Sequence, residues 1–430
     1  MKGIILFTSD LDFSVTGNQT LINVIIGTVR NGYKVHILTS SPKPEDSISS
    51  NWLPNDVKDK ITIYRFNTFI RLFNKLSHFK LLKAINVFNR VKRRNNNSIK
   101  LSYESNYTPF SYYPTISFLS FTIGGIIPLI KLCLKNKYCK ICGYEPRGIL
   151  LGYLGSKLFR IDLYKRLQGT ILFPELKNTY RLYFRYFFYY LTIKIGSSMT
   201  YMGDDGTFGN KVLEWAGVDK SKFKFRRNGY DNKILNTNSL TDFELKQYGI
   251  DSTDIILLSI SRLEYWKRVD RILYSFASAQ KVCSNLKYVI VGGGEDLYRL
   301  KSLVSLLDIN EKVIFTGRKS HNLVSSFLKR CDIFASCYEH SNMCNPIMEA
   351  SLLGKPIVSI NDNTTKDILI HEYNALLADK NNIIGDLTSF IIRLTQDKDL
   401  RKKLSNNTLV NSSKELMTWE DRMKLEKNEI

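Results

Sequence analysis

Acidic residues are missing from a long stretch of this 430-residue chain: none occurs between Asp59 and Glu104. Residues 1–200 hold 29 lysines and arginines against 10 acids, a net +19, while residues 201–430 hold 33 against 30, a net +3. Cysteines are few, odd in number and scattered, at 133, 139, 142, 283, 331, 337 and 344. That excludes a disulfide framework and favours structural thiols in a reducing compartment. Cys139-Lys140-Ile141-Cys142 is a lone pair without the second pair or histidines that a zinc site needs, so no metal is expected. Long apolar runs are also absent. The best, residues 116–130, contains Gly124, Gly125 and Pro128 and stops at Lys131, short of the roughly 20 residues of a spanning helix. A buried helix is expected there. Met1-Lys2 leads straight into a strand-like run, so the apolar start is expected to belong to the fold rather than to a leader.

What fills the acid-free gap is basic and apolar. Arg71, Lys75, Lys80, Lys83, Arg90, Lys92, Arg93, Arg94 and Lys100 alternate with Phe69, Leu72, Phe73, Phe79, Leu81, Leu82 and Phe88. Such a stretch suits an anionic membrane surface. A solvated face or a nucleic-acid patch would show the same charge. We take the membrane surface as the expected partner, and no nucleic acid. The expected location is cytoplasmic, peripheral on the inner face of the cell membrane.

Strands alternate with helices along the whole chain. Strands are predicted at residues 3–8, 34–39, 138–144 and 163–167, and helices at 19–31, 116–134 and 148–159, with an insertion through residue 97. After a polar linker at 231–254 the alternation resumes, with strands at 255–260, 287–291, 313–315, 332–336, 356–360 and 375–378. This pattern implies an α/β chain of two doubly wound, Rossmann-like domains facing a central cleft. The expected division is 1–230, 231–410, and a C-terminal helix at 411–430 packing back on the first domain.

Two anion-binding signals stand out. Ser261-Arg262-Leu263-Glu264-Tyr265-Trp266-Lys267 follows the strand at 255–260, and Leu263 can anchor the loop while both cations reach the cleft. A diphosphate needs at least two positive charges in a dry site. A surface ion pair of these cations with Glu264 or Asp270 is the plainer reading. The second signal is Asn345-Pro346-Ile347-Met348-Glu349-Ala350. Pro346 opens a helix whose N–H groups at Asn345, Ile347 and Met348 are expected to be free for phosphate oxygens. Glu349, a turn later, can hold both hydroxyls of a ribose; the alternative is that it complements the helix dipole. The order and spacing of the two signals favour a nucleotide-sugar site. Val291-Gly292-Gly293-Gly294 reads chiefly as a tight strand-to-helix turn, with backbone near the nucleotide as a second role. Arg318, after Thr316-Gly317, and Gly17, after the first strand, are further donor-binding candidates.

With these residues in place, the chain resembles glycosyltransferase family 4, the retaining group with the GT-B fold. The resemblance rests on Ser261-Arg262-Leu263…Lys267-Arg268-Val269-Asp270, Val291-Gly292-Gly293-Gly294, Asn345-Pro346…Glu349-Ala350, Gly354-Lys355-Pro356, Asn228-Gly229-Tyr230-Asp231 and Gly17. It implies a sugar nucleotide in the second domain, an acceptor in the first, and no required metal because Arg262 and Lys267 would neutralise the leaving diphosphate. The family usually places a first glutamate eight positions before the second; here that position is Ser341, and Glu339 lies ten before Glu349. Glu339, Ser341 and Asn342 are therefore the candidate donor-sugar contacts. His340 is the candidate base of that loop, though a lone loop histidine is more often just exposed.

The resulting expectation is a metal-independent hexosyltransferase. It would use a UDP- or GDP-linked sugar, and no other cofactor, to extend a glycan or lipid-linked acceptor in cell-surface polysaccharide synthesis. A GT-B epimerase and a non-catalytic sugar-nucleotide-binding partner are the alternatives.

Overall fold

The computed structural model describes residues 2–8, 11, 19–40, 53–68 and 113–429. Gly17 and residues 69–112, which hold most of the acid-free basic stretch with Lys92, Arg93 and Arg94, lie outside the described residues.

The first sheet contains β1 (Lys2–Thr8), β2 (Tyr33–Thr39), β3 (Ile61–Arg65), β4 (Lys140–Tyr144), β5 (Asp162–Leu167), β6 (Met199–Gly203) and β7 (Phe223–Arg226). The second contains β8 (Ile255–Ile260), β9 (Leu286–Val291), β10 (Val313–Gly317), β11 (Ile333–Ala335), β12 (Ile357–Ile360) and β13 (Ala375–Ala378). Their spatial orders are β3-β2-β1-β4-β5-β6-β7 and β10-β9-β8-β11-β12-β13. Adjacent strands are parallel throughout, as in the β1–β4 and β8–β11 pairs. Each sheet has a core cluster on both faces, so β8 can be an unbroken Ile-Ile-Leu-Leu-Ser-Ile run rather than an alternating one. Helix Val269–Gln280 buries Val269, Ile272, Leu273, Phe276 and Ala277, a stripe at helical spacing against one of those faces.

Both domains are thus doubly wound α/β, as the alternation predicts. In each, strand order reverses beside the first strand, between β1 and β4 and between β8 and β11. Ligand crevices open at the C-terminal ends of strands flanking such a point.

Three departures from the sequence reading concern edges and connections. The stretch read as an insertion contributes the edge strand β3, and β6 and β7 extend the sheet on the other side. Residues 231–254 are packed rather than a free linker: Ile234, Leu240, Leu245 and Ile250 belong to a core cluster of the second domain.

The chain crosses between domains twice at one place. Tyr230 donates its N–H to the Met417 carbonyl at 3.0 Å, and Trp419 donates back to the Tyr230 carbonyl at 3.0 Å. A Cβ on Gly229 would lie 2.5 Å from the Trp419 nitrogen, so only glycine permits this approach. Beyond the crossing, helix Trp419–Lys427 returns to the first domain and packs on helix Gln19–Arg30 through Val24, Trp419 and Met423. There Glu426, fully buried, accepts from Arg166 Nη1 at 3.2 Å and from Arg422 Nε at 3.1 Å. Burial alone would raise the Glu426 carboxyl, but the two arginines hold it below the usual range.

Candidate functional site

The loop after β8 carries the first cations. Leu263 is fully buried, as an anchor should be, and its N–H donates to the Gly293 carbonyl at 3.2 Å. Gly292, at φ +144°, is where the neighbouring loop closes on this one: a Cβ there would lie 1.8 Å from the Ser261 carbonyl oxygen. A Cβ on Gly293 would lie 3.1 Å from Arg318 Cγ. The glycines therefore let three βα loops pack together, with the exposed Arg318 laid over Gly293.

Arg262 extends into solvent, its side chain 72% exposed, and pairs with Glu264 at 2.9 Å. The plainer sequence reading of Arg262 is therefore its state in the free chain. Lys267 is different. Its ammonium lies 3.7 Å from the ring centroids of both Trp266 and Tyr338. Burial, with Arg262 adding to it, brings its pKa down to about 8. Among the described residues no carboxylate lies within ion-pair distance of Lys267. Two aromatic faces stabilise a cation but do not neutralise it, so the pocket is electrostatically open to an anion.

Lys267 also sits beside Cys344, which precedes helix Asn345–Leu352, and each acts on the other's ionisation. The arrangement brings the loop cation to the helix N-terminus, where backbone dipoles favour negative charge. One detail of the sequence reading is corrected here. The Ile347 and Met348 N–H groups are not free: both donate to the Cys344 carbonyl, at 3.1 and 3.2 Å. Pro346 has no N–H, so Asn345 supplies the donor at this end, while its side-chain oxygen accepts from Asn228 at 3.3 Å.

Glu349 accepts from His321 Nε2 at 3.1 Å. Burial pulls the His321 pKa down, but the Glu349 contact and Asp231 outweigh it and raise the pKa above its ordinary value. His321 opens the helix His321–Arg330 just after Arg318, and no signal in the sequence ties it to Glu349.

The three candidate sugar contacts separate. Glu339 is held by Arg268 at 2.7 Å and Arg271 at 2.5 Å. Asn342 is fully buried, accepts from the Tyr338 N–H at 2.9 Å and donates to Asp362 at 2.8 Å, which makes it a brace for the loop. Ser341 reaches across the cleft and donates to the Asp205 carbonyl in the first domain. His340 is exposed and stacks over Trp266.

The first domain answers with carboxylates that sequence reading missed. Glu145, at the end of β4, has φ +61°, a conformation that costs a non-glycine residue energy and concentrates at functional sites. One of its oxygens accepts from the Gln168 N–H at 2.8 Å. Burial, with Asp205 adding to it, pushes its carboxyl up to about 7. Asp205 follows β6, takes hydrogen bonds from Thr207, and is pushed up to about 6, again chiefly by burial. Asp205 thus faces the cation site from the other domain, and Glu145 lies near enough to Asp205 to feel its charge. Among the described residues no group of three or more His, Cys, Asp or Glu comes together as a metal site would require, and all seven cysteines are free thiols.

Comparison with known proteins fits this geometry. Residues 241–409 match the family model "Glycosyl transferases group 1". Over 145 residues the chain is 26% identical to the alpha-monoglucosyldiacylglycerol synthase of Streptococcus pneumoniae (strain ATCC BAA-255 / R6), covering 34% of this chain and 33% of that protein. Over 127 residues it is 30% identical to the lipopolysaccharide core biosynthesis glycosyltransferase LpsD of Rhizobium meliloti (strain 1021), covering 30% and 36%. The chain thus spans about a third of the length of these curated relatives. Among solved structures, HepE of Anabaena in complex with UDP superposes with a TM-score of 0.69 at 16% identity, over 100% of both chains. That likeness is one of fold.

Proposed function

We infer, from the GT-B fold of this chain and the match of its residues 241–409 to the family model of the group 1 glycosyl transferases, a glycosyltransferase that takes its sugar from a nucleotide sugar. The observation that carries this reading is Lys267: a half-buried cation with no carboxylate partner among the described residues, at a strand-order reversal and beside a helix N-terminus. A diphosphate satisfies all three features at once. Arg262, already exposed, exchanges Glu264 for a phosphate oxygen, and Glu349, oriented by His321, receives the ribose hydroxyls. Sugar transfer places growing charge on the departing diphosphate, where two side-chain cations substitute for a metal ion.

The acceptor is proposed to be a glycan or lipid-linked glycan bound in the first domain, against Glu145 and Asp205. The names of the two curated relatives, one acting in glycolipid and one in lipopolysaccharide synthesis, support that class. Transfer with retention, through front-face displacement assisted by the departing phosphate, is the mechanism proposed with it. Seven free thiols support a cytoplasmic site of action.

A thermal-shift screen of UDP- and GDP-linked sugars tests the reading. A ligand at 100 times its dissociation constant adds about 2.7 kcal/mol to the folded state. Stabilisation by one nucleotide class is expected, and none by any would refute the assignment. Donor consumption that needs an added acceptor separates transfer from epimerisation, which runs on the donor alone.

A further inference from the structure

Helix Tyr113–Lys135 is long and apolar enough, by composition, to cross a membrane, yet it packs on the first domain along one side. Phe118, Phe121, Leu129 and Leu132 face the core and are buried. Leu119, Ile123 and Ile127 recur one turn apart and, with Leu134 two turns further on, make a continuous outer stripe. The next helix, Glu145–Phe159, runs alongside in the same direction. A Cβ on Gly125 would lie 2.3 Å from Leu151, and one on Gly155 would lie 3.1 Å from Leu129, so glycines bring the two helices close at matching heights. Leu154 and Leu158 of that second helix widen the stripe into a patch. Its six large apolar side chains are between 38% (Leu154) and 76% (Leu134) exposed, far more apolar surface than a soluble helix pair needs to leave open.

The charge around the patch is of one sign. Lys131, Lys135, Lys137, Lys157 and Arg160 are all exposed, and among the described residues none of the five is in an ion pair. No acid occurs from residue 105 to 144 or from 146 to 161. On an ideal helix Lys131 and Lys135 fall along one flank of the stripe, about 60–100° from its centre. An apolar face with cations at its border matches the layering of an anionic lipid surface, acyl chains beneath and phosphates above.

We propose that the outer face of helix Tyr113–Lys135, with Leu154 and Leu158, docks the first domain in the plane of an anionic lipid bilayer. Because only 39% of the apolar window is buried by the protein, the helix can sink its outer side to acyl depth without leaving its own domain. The surface has a direction. The helix leads into β4, antiparallel to it, so the Leu119 end lies toward the cleft edge where Glu145 stands. Docking therefore brings the acceptor side of the cleft to the membrane. The docking claim stands apart from the sugar-transfer reading and adds to it the source of the acceptor, a molecule anchored in that bilayer.

Flotation of the full chain with vesicles tests this. Phosphatidylcholine vesicles containing about a third phosphatidylglycerol should bind it, and phosphatidylcholine alone much less. The exposed pairs Ile123→Glu with Ile127→Glu, and Leu154→Glu with Leu158→Glu, should each lower binding at least about tenfold. Melting temperature and UDP affinity, measured on the same preparations, should stay unchanged. A tryptophan placed at Ile127 should be quenched by brominated acyl chains. The proposal is overturned if the wild type stays unbound at low salt, if the glutamate variants float like it, or if Ile127→Trp escapes quenching because residues 69–112 or a second copy of the chain cover the face. Loss of vesicle binding with UDP affinity intact leaves the sugar-transfer reading standing, and the reverse result separates them the other way.

Discussion

A lysine held between two aromatic rings is the most telling single residue of this protein. Lys267 is half-buried against two rings and has no paired carboxylate among the described residues, so its charge is available to a ligand. Lys267→Ala and Arg262→Ala are each expected to leave the fold intact and to slow sugar transfer roughly 10²-fold, the usual scale for losing a preorganised charge. Near-normal turnover in both variants would remove the diphosphate assignment. The pH dependence carries a definite sign. Burial lowers the folded pKa of Lys267 from 10.5 to about 8, so the charged form is a cost to the free fold below pH 8 that fades between pH 8 and 10.5. Diphosphate binding needs the proton, so UDP affinity should fall as pH rises through about 8. Lys267→Arg, which keeps its charge, should flatten that fall, and calorimetric titrations on either side of pH 8 would show it. Arg262, Lys267 and Glu349 could be singled out as candidates from the sequence because each lies in a short motif. Tyr338 and His321 were not, because what they do depends on contacts with residues far along the chain.

At the scale of elements, the glycines and the last helix do work that spacing alone could not disclose. The Gly292 turn was legible as a turn, but its closeness to Ser261 emerges only when β8 and β9 lie side by side. Strands β3, β6 and β7 escaped the sequence reading because they are short and mix apolar with polar or charged residues, so periodicity is weak. The reading of free N–H groups at the Asn345 helix failed for a local reason: the Cys344 carbonyl takes two of them. Helix Trp419–Lys427 is tied to β5 of the first domain through Arg166 and Glu426, with Arg422 of the same helix completing the cluster. Glu426→Ala would leave two buried guanidinium groups unpaired. It is expected to cost about 3–5 kcal/mol, read as a lower melting temperature. A change of less than a degree would mean that water reaches the cluster and replaces the carboxylate.

At the scale of the whole molecule, the two domains divide the chemistry by charge and by cleft face. The second domain, near neutral in net charge, gathers Arg262, Lys267 and Asn345 at one strand-order reversal with Glu349 a turn further on, and the first presents Glu145 after β4, at its own reversal, and Asp205 after β6. Ser341 and Asn228 join the faces by donating to Asp205 and Asn345 respectively. The two-domain architecture was legible because hydrophobic runs alternate with helical stripes along the chain. The acid pair was not, since Glu145 and Asp205 lie in no motif and acquire their shifted ionisation chiefly from burial, with neighbouring carboxylates adding to it. The central claim is that the second domain binds a nucleoside diphosphate through side-chain cations alone. Calorimetric titration of UDP, and of GDP in parallel, into the wild type and Lys267→Ala in the presence of EDTA measures it most directly. The account predicts that one nucleotide binds the wild type without metal and that Lys267→Ala weakens it at least about tenfold, a loss of about 1.4 kcal/mol. Binding that is absent from the wild type until a divalent ion is added, or equal in both proteins, would contradict it.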